Sequence, residues 1–417
     1  MNKTSLKLII IASILGASSA TIWAQTVLTV AAYPAVDEII KGALSEWQKR
    51  HPQVRVKVVS REYADHHTAM TTALAASSGL PDVMTIEYGY LGRFSQSGGL
   101  VDLQSAPFNA GHFNNKFVAY AWEQGRHEKH GLTAIPTDIG PGVMFYRVDM
   151  LDQAGVKPQQ LQGRWEDFIA AGRQIKAKTG AHLVAHARDV KDVLIRSGLA
   201  SGEGIYYNEQ GQSLVGTSPR FKRAFELALL IRNEGLDARV NAWSNEWGEA
   251  LKRGRFTSQM MGAWLGGHLQ NWLAPNTAGK WRSGPLPEGL TTSWGGTFYA
   301  IPNKAANKEL AWDLIQHLTL NKVQQQLAFQ KFNAFPALID AQSGPFFDQP
   351  VEFLGGQKAR MEWRDAARKT QPTRVFRNDP IAEEIVNAEL DLVLTKGKSI
   401  DQALADAHRL IQRRAQR

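Results

Sequence analysis

Two short apolar runs separated by one amphipathic helix constrain this chain more than any other feature. Residues 27–32 are brief, apolar and rich in β-branched side chains, which predicts a buried strand. Residues 37–49 predict a helix, because Ile40, Ala43, Leu44 and Trp47 fall at i, i+3, i+4 and i+7 and make one core-facing stripe. His51-Pro52 ends it, since proline disfavours helix in the residue before it. Residues 54–59 (VRVKVV) alternate as a second strand. Strand, helix and strand within about thirty residues form a βαβ unit, whose crossover makes the two strands parallel. The fold class is therefore α/β.

The same logic extends the sheet. Residues 67–76 predict a helix, 77–81 a loop and 82–86 a third strand. Glu87, Tyr88 and Tyr90 lie at the C-terminal end of that strand, and Tyr33 at the matching end of the first. Open α/β sheets hold ligands at that end, so Tyr33, Glu87, Tyr88 and Tyr90 are candidate binding residues on one edge.

Residues 131–151 (GLTAIPTDIGPGVMFYRVDML) read as two short strands, 132–135 and 143–147, around a reversal at Asp138, Gly140, Pro141 and Gly142. A helix over 148–154 then stops at Gly155, a left-handed cap. In this reading the chain leaves one α/β lobe and enters a second, which places Asp138 at the cleft, where ligands are held. Its other reading is turn formation through local backbone bonds.

Beyond it, residues 165–178 predict a helix with Trp165, Phe168, Ile169, Gly172 and Ile175 inward, and 221–233 another. Residues 260–264 read as a strand running into Gly266-Gly267, and 284–289 as a loop that crosses between lobes again. A strand over 297–301 and a helix over 308–320 follow. The last third is helical, with Ile381, Ile385, Ala388 and Leu392 as one buried stripe. Ser399 with Gln402 forms a capping box for a final helix that carries Leu404, Ala407 and Ile411 inward. Trp243 and Trp247, spaced i, i+4, read as core.

The N-terminus reads as a leader rather than as fold. Lys3 and Lys7 precede an apolar run at 8–15, and small residues lead to Ala24, so residues 1–24 are expected to be a cleaved secretory signal peptide. The run is too short and too interrupted to span a membrane. With no cysteine anywhere, there is no lipoprotein attachment site and no disulfide, and the expected location is free in the periplasm. The formal net charge is +9, but the basic residues are scattered apart from Arg409, Arg413, Arg414 and Arg417. That tail reads as a solvated helix face, and nucleic-acid binding is not expected.

Six stretches, in order, carry a resemblance. They are WQKRHPQVRVKVV (47–59), LAASSGLPDVMTIEYGYLGRFSQSGGLVDL (74–103), AIPTDIGPGVMFYRVDMLDQAGV (134–156), GRWEDFIAAGRQI (163–175), WGGTFYAIPNKAANKELAWDLIQHLT (294–319) and GKSIDQALADAHRLI (397–411). Together they resemble family 1 of the extracellular solute-binding proteins, the carbohydrate-binding partners of ABC importers. The resemblance implies a two-lobed periplasmic binding protein fold, each lobe a mixed β-sheet flanked by helices, with the ligand cleft at the hinge. The lobes would be 25–138 with 291–320, and 139–290 with 321–417. It implies a monomer that binds a sugar or oligosaccharide and delivers it to the permease subunits, with no catalysis and no cofactor.

Sugar binding needs carboxylates, Arg, Asn or His for hydroxyl edges and flat aromatic rings for C–H faces. By resemblance, Glu87 stands where many relatives have a sugar-binding Asp, Tyr90 where they often have Trp, and Asp138 at a pocket Asp. Trp264, in MGAWLGG, matches the family's pocket Trp. Trp294-Gly295-Gly296 matches its Gly-Gly strand, although here the aromatic precedes the glycines and Thr297 follows them. Arg374, in QPTRVFRNDP, lies where a late loop enters the cleft. Tyr33, Asp65 and His66 complete the first-lobe candidates.

Other chemistries fit less well. His127 with His130, and His182 with His186, have helical spacing but no evident third ligand, so no metal is expected. No nucleophile elbow and no phosphate-binding loop is present. A periplasmic carbohydrate-active enzyme pairing Glu87 with Asp138 is the rival function. The same fold could instead take a non-sugar solute such as a polyamine, iron or a phosphate ester.

Overall fold

The computed structural model describes residues 25–415. The segment read as a signal peptide lies outside them. Among the described residues ten strands occur in chain order: β1 (Thr26–Ala32), β2 (Val54–Ser60), β3 (Val83–Glu87), β4 (Arg126–His127), β5 (Gly131–Leu132), β6 (Ile135–Arg147), β7 (His182–Val184), β8 (Phe256–Gly262), β9 (Trp281–Gly284) and β10 (Ser293–Ala300). One mixed sheet takes the order β2-β1-β3-β10-β6-β8-β7, with β9 also paired to β6, while β4 and β5 form a small separate ribbon. β1 is parallel to β2 and to β3, as the βαβ pattern requires. β10 enters antiparallel between β3 and β6.

Helices cover both faces of the sheet, and alternate residues along a strand feed two cores. Leu28, Val30 and Ala32 of β1 and Val143 and Phe145 of β6 belong to one core. Ala31, Met144 and Tyr146 belong to the other. The helix Val36–Arg50 buries Ile40, Ala43 and Trp47, with acids in its first turn and bases in its last, as the helix dipole favours. Trp47 is fully buried and its Nε1–H donates to Asp313 at 2.6 Å, tying this helix to Lys308–Leu320. Truncating such a ring to Ala costs about 3–5 kcal/mol.

The stretch read as a reversal is one continuous strand. β6 keeps its direction for 13 residues and changes neighbours instead. As far as Pro141 it pairs with β10, from Gly142 it pairs with β8, and from Met144 also with β9. Gly140 and Gly142 are there for close approach and not for a turn. A β carbon at Gly140 would lie 1.9 Å from the Trp294 carbonyl oxygen, and one at Gly142 would lie 2.3 Å from the Thr292 methyl. Phe335 and Ala337 run along the first half of β6, bonded to Ile139 and Thr137 at 2.9 and 3.0 Å.

Other expectations need smaller changes. The helix expected from His67 begins at Tyr63, one turn earlier. β8 ends at Gly262, so Trp264 lies beyond the strand. In the helix Asp379–Lys396 the buried face is Ala382, Val386, Glu389, Leu390 and Val393, while Leu392 is 39% exposed. The hydrophobic pattern misled there because Glu389 is buried with its charge met by Lys398 at 2.5 Å. Only half of the last capping box forms. The Gln402 N–H donates to Ser399, but the Gln402 side chain turns to Asp406. Gly155 does end its helix in the left-handed conformation, with φ of 69°.

Candidate functional site

The register of three neighbouring strands sets two acids in one row. Thr297 of β10 is the partner of Glu87 in β3 on one side and of Asp138 in β6 on the other. Paired residues on adjacent strands point to the same face and strands lie about 4.8 Å apart, so the acids stand roughly 10 Å apart across one hydroxyl. Tyr33, just past the end of β1, closes the row, its hydroxyl 2.8 Å from the Thr297 hydroxyl.

Glu87 is held from its own end of the sheet. It caps the helix Tyr88–Gln96, accepting the Gly89 N–H at 2.7 Å. The same oxygen accepts the Tyr63 hydroxyl at 2.8 Å. The Glu87 backbone N–H donates to His67 Nε2 at 3.1 Å, and the other His67 nitrogen meets the Tyr63 carbonyl at 2.8 Å. Nε2 accepts, so Nδ1 carries the proton and the imidazole is neutral. Burial holds His67 down at about 4. Its ring stacks on Tyr90 at 3.9 Å and 11°.

Burial also shifts the acids. Glu87 is pushed up to about 7, chiefly by desolvation, with Tyr63 and Gly89 pulling it back and Asp138 adding to the rise. Asp138 is pushed up to about 6 for the same reason, countered by Thr297. Two carboxyl groups therefore change charge close to neutrality.

The aromatic part approaches from the opposite direction. Trp264 follows β8, and its Nε1–H donates to the Trp294 carbonyl at 2.8 Å. A bulge in β10 between Ser293 and Gly296 makes room for this contact. Gly295 there has φ of 77°, and a β carbon on it would lie 3.5 Å from Glu87 Oε1 and 3.6 Å from Trp264 Nε1. The acid and the indole thus flank the same glycine. Gly296 has φ of 140°, and a β carbon on it would press to 2.8 Å from the Asp138 carbonyl. Trp294 itself is half-buried with the Arg196 guanidinium 5.1 Å over its ring, so one of its faces is already occupied.

The structure therefore gathers Tyr33, Glu87, Asp138, Trp264, Trp294, Gly295 and Gly296, with Tyr90 joined through His67. Tyr88 is 8% exposed and packs beneath the group. His66 is fully buried behind it, with Nε2 on the Thr85 carbonyl. Two candidates stand apart. Asp65 is exposed on its helix. Arg374 lies between Glu128 at 3.5 Å and Glu209 at 3.7 Å, beside a groove of about 500 Å³ that Asn114, Trp122 and Gly202 also line. Acids claim its guanidinium there.

Sequence reasoning missed Tyr63, His67 and Thr297, which depend on tertiary placement. It also misplaced Trp243. Trp247 is buried as expected, but Trp243 is 53% exposed and lies nearly parallel to Trp264, with centroids 5.8 Å apart and planes at 26°. Ser244 caps the helix Asn245–Arg253 by accepting the Trp247 N–H. Trp243 thus precedes the helix, and helical spacing does not apply to it; Ser244 was the legible signal. Among the described residues, no group of three His, Cys, Asp or Glu side chains is placed to hold a metal.

The family model for bacterial extracellular solute-binding proteins matches residues 29–325, and the chain belongs to that family. A lactose-binding protein of Rhizobium radiobacter is 29% identical over 384 residues, covering 88% of this chain and 87% of its own. An arabinooligosaccharide-binding protein of Halalkalibacterium halodurans is 25% identical, covering 76% and 72%. Among solved structures, a family 1 extracellular solute-binding protein superposes with a TM-score of 0.82 at 23% identity, covering 93% of this chain and 99% of its own. The sugar-binding protein MalE of Xanthomonas citri superposes with a TM-score of 0.77 at 18% identity, covering 93% and 96%. At these identities the structural likeness is one of fold.

Proposed function

We propose that this protein is the periplasmic sugar-binding component of an ABC importer. The observation that carries the reading is the row Glu87–Thr297–Asp138 with Trp264 set against it at Gly295. Carboxylates in that row accept hydrogen bonds from sugar hydroxyls, and the indole offers an apolar face to C–H groups. Tyr33 and Tyr90 border the acids, and Trp294 contributes its uncovered face. The relatives named for lactose and for arabinooligosaccharides support a carbohydrate ligand.

In this reading residues 25–138 with 291–320 and residues 139–290 with 321–417 act as two lobes. The exchange of partners within β6 at Pro141 and Gly142 supports a crossing close to that boundary. Ligand bridges the lobes and shifts the population towards a closed form, which docks on the permease. The mechanism is binding without turnover, by a monomer released to the periplasm when residues 1–24 are cleaved.

Thermal unfolding of the mature protein against lactose, arabino-oligosaccharides, polyamines and sugar phosphates tests this. A ligand that binds only the native state stabilises it by ~2.7 kcal/mol at a hundred times its dissociation constant. A rise in midpoint with one sugar class, and recovery of that sugar unchanged, is the expected result. Hydrolysis of the sugar would establish the enzyme reading instead. A rise only with a polyamine or phosphate ester would overturn the carbohydrate assignment.

A further inference from the structure

The strand that carries Trp294 does not set the direction of its ring. In the ladder between β10 and β6, Ser293 pairs with Pro141 and Gly296 with Ile139, and pairing with β3 begins only at Thr297. The bulge thus leaves Trp294 and Gly295 without a register partner on either side. The Trp294 backbone is held by the Trp264 Nε1–H on its carbonyl. Its ring is held from elsewhere. The Arg196 guanidinium lies 5.1 Å over the ring centroid, and it comes from the helix Arg188–Arg196, far earlier in the chain.

Arg196 is itself carried on a braced element. Its helix is joined to the helix Asp379–Lys396 by three side chains whose partners run in the opposite order. Arg188 reaches Asp391 at 2.6 Å, the fully buried Lys191 reaches Asn387 at 2.7 Å, and Arg196 reaches Glu383 at 3.4 Å. Position 196 is the last of its helix, where the dipole favours a cation. Ion pairing alone does not account for the residue. Its side chain is only 9% exposed, its bond to Glu383 is long, and its Nε is buried without a partner among the described residues. A charge buried with such incomplete pairing costs more than an apolar side chain of the same length. What a guanidinium supplies and a methionine does not is a flat cation, which covers an aromatic face while its edge still reaches a carboxylate.

We propose that Arg196 is a positioning residue for sugar binding: it occupies one face of Trp294 and so turns the other towards the ligand beside Glu87. This rests on the carbohydrate reading above and adds to it a residue that touches no sugar. In the two-lobe reading Arg196 belongs to the second lobe and Trp294 to the first. The contact therefore ties the orientation of a first-lobe ring to the second lobe.

A double-mutant cycle on affinity tests the proposal, with lactose and arabinotriose as titrants in calorimetry. Arg196→Met weakens binding about tenfold, the scale of one desolvated cation–π contact. Arg196→Lys keeps the charge, loses the plane and falls between. In a Trp294→Ala background Arg196→Met has no further effect, because no ring is left to orient. A merely structural role would lower affinity alike in both backgrounds. Fluorine NMR of fluorotryptophan-labelled protein gives a second reading without ligand. The Trp294 resonance, assigned by its loss in Trp294→Phe, shifts or broadens in Arg196→Met. The Glu383 side chain is 43% exposed, so removing Arg196 strands no buried acid. Should Arg196→Met nonetheless fail to fold, Glu383→Gln loosens the guanidinium and gives a smaller loss with the same dependence on Trp294. Wild-type affinity in Arg196→Met, an equal loss with and without Trp294, or an unmoved Trp294 resonance would overturn the positioning role and leave the sugar-binding reading standing. Failure of the wild type to bind either sugar would overturn both.

Discussion

The acid row and the indole group meet at Gly295 but are built by opposite means. Glu87, Thr297 and Asp138 sit on three hydrogen-bonded strands, and their spacing is the strand spacing itself. Trp264 and Trp243 sit just past a strand and just before a helix. Regular backbone fixes position closely and admits little change, whereas irregular backbone can vary without disturbing the sheet.

The comparison breaks most severely at the junction itself. Gly140→Ala would put a β carbon 1.9 Å from the Trp294 carbonyl and 2.6 Å from Trp264 Nε1. Urea unfolding should show a loss of about 3 kcal/mol from overpacking, with ligand binding lost as well. Full stability in this variant would mean that the two halves are not pressed together there. Trp264→Ala is the next largest effect on binding. It should lower ligand affinity roughly tenfold or more while costing stability less, because the ring is only half-buried. The pH response of the acid row should survive this substitution.

That pH response sharpens the comparison from the other side. Glu87 is raised from 4.5 to about 7 and Asp138 from 3.8 to about 6. At these two groups the native protein keeps protons that the unfolded chain releases, so their contribution to stability falls as pH rises from about 4 to about 7 and then levels off, while His67 and His186, each held down to about 4 by burial, contribute in the opposite direction below about 6.5. Asp189 and Asp379, also pushed by burial to about 7, act in the same direction as Glu87 and Asp138. Glu87→Gln should reduce that slope without abolishing it, as measured by urea midpoints across pH. Over the same range binding should tighten as the carboxylates ionise. The smallest effect is expected of Tyr63→Phe, which removes the hydroxyl that pulls Glu87 down. Stability should change by less than about 1.5 kcal/mol. The midpoint of pH-dependent binding, followed by titration calorimetry, should move upward.

Much of this was legible in the residues. The βαβ unit, the parallel pair, and the gathering of Tyr33, Glu87 and Tyr88 at strand ends follow from periodicity and from where apolar runs stop. The row itself was not legible, because it depends on β10 arriving some two hundred residues later in chain order and inserting antiparallel between β3 and β6. Gly140, Pro141 and Gly142 suggested a reversal because glycine allows both a turn and a close approach, and only the neighbouring Trp294 carbonyl distinguishes them. Trp243 was misread because an i, i+4 spacing was applied across a helix boundary that Ser244 marks. Arg374 and Asp65 carried chemistry suited to a sugar, but spacing along a chain says nothing about which acids or solvent claim a side chain.

The tautomer imposed on His67 reverses the usual source of acid sensing in proteins. Tied between a carbonyl and a backbone N–H and kept neutral down to about 4, it is silent across the physiological range. An inflection near pH 6 or 7 in ligand affinity would ordinarily be credited to an imidazole. In this pocket it would record Asp138 and Glu87, so imidazole proton shifts could stay flat while carboxyl carbon shifts trace the whole transition.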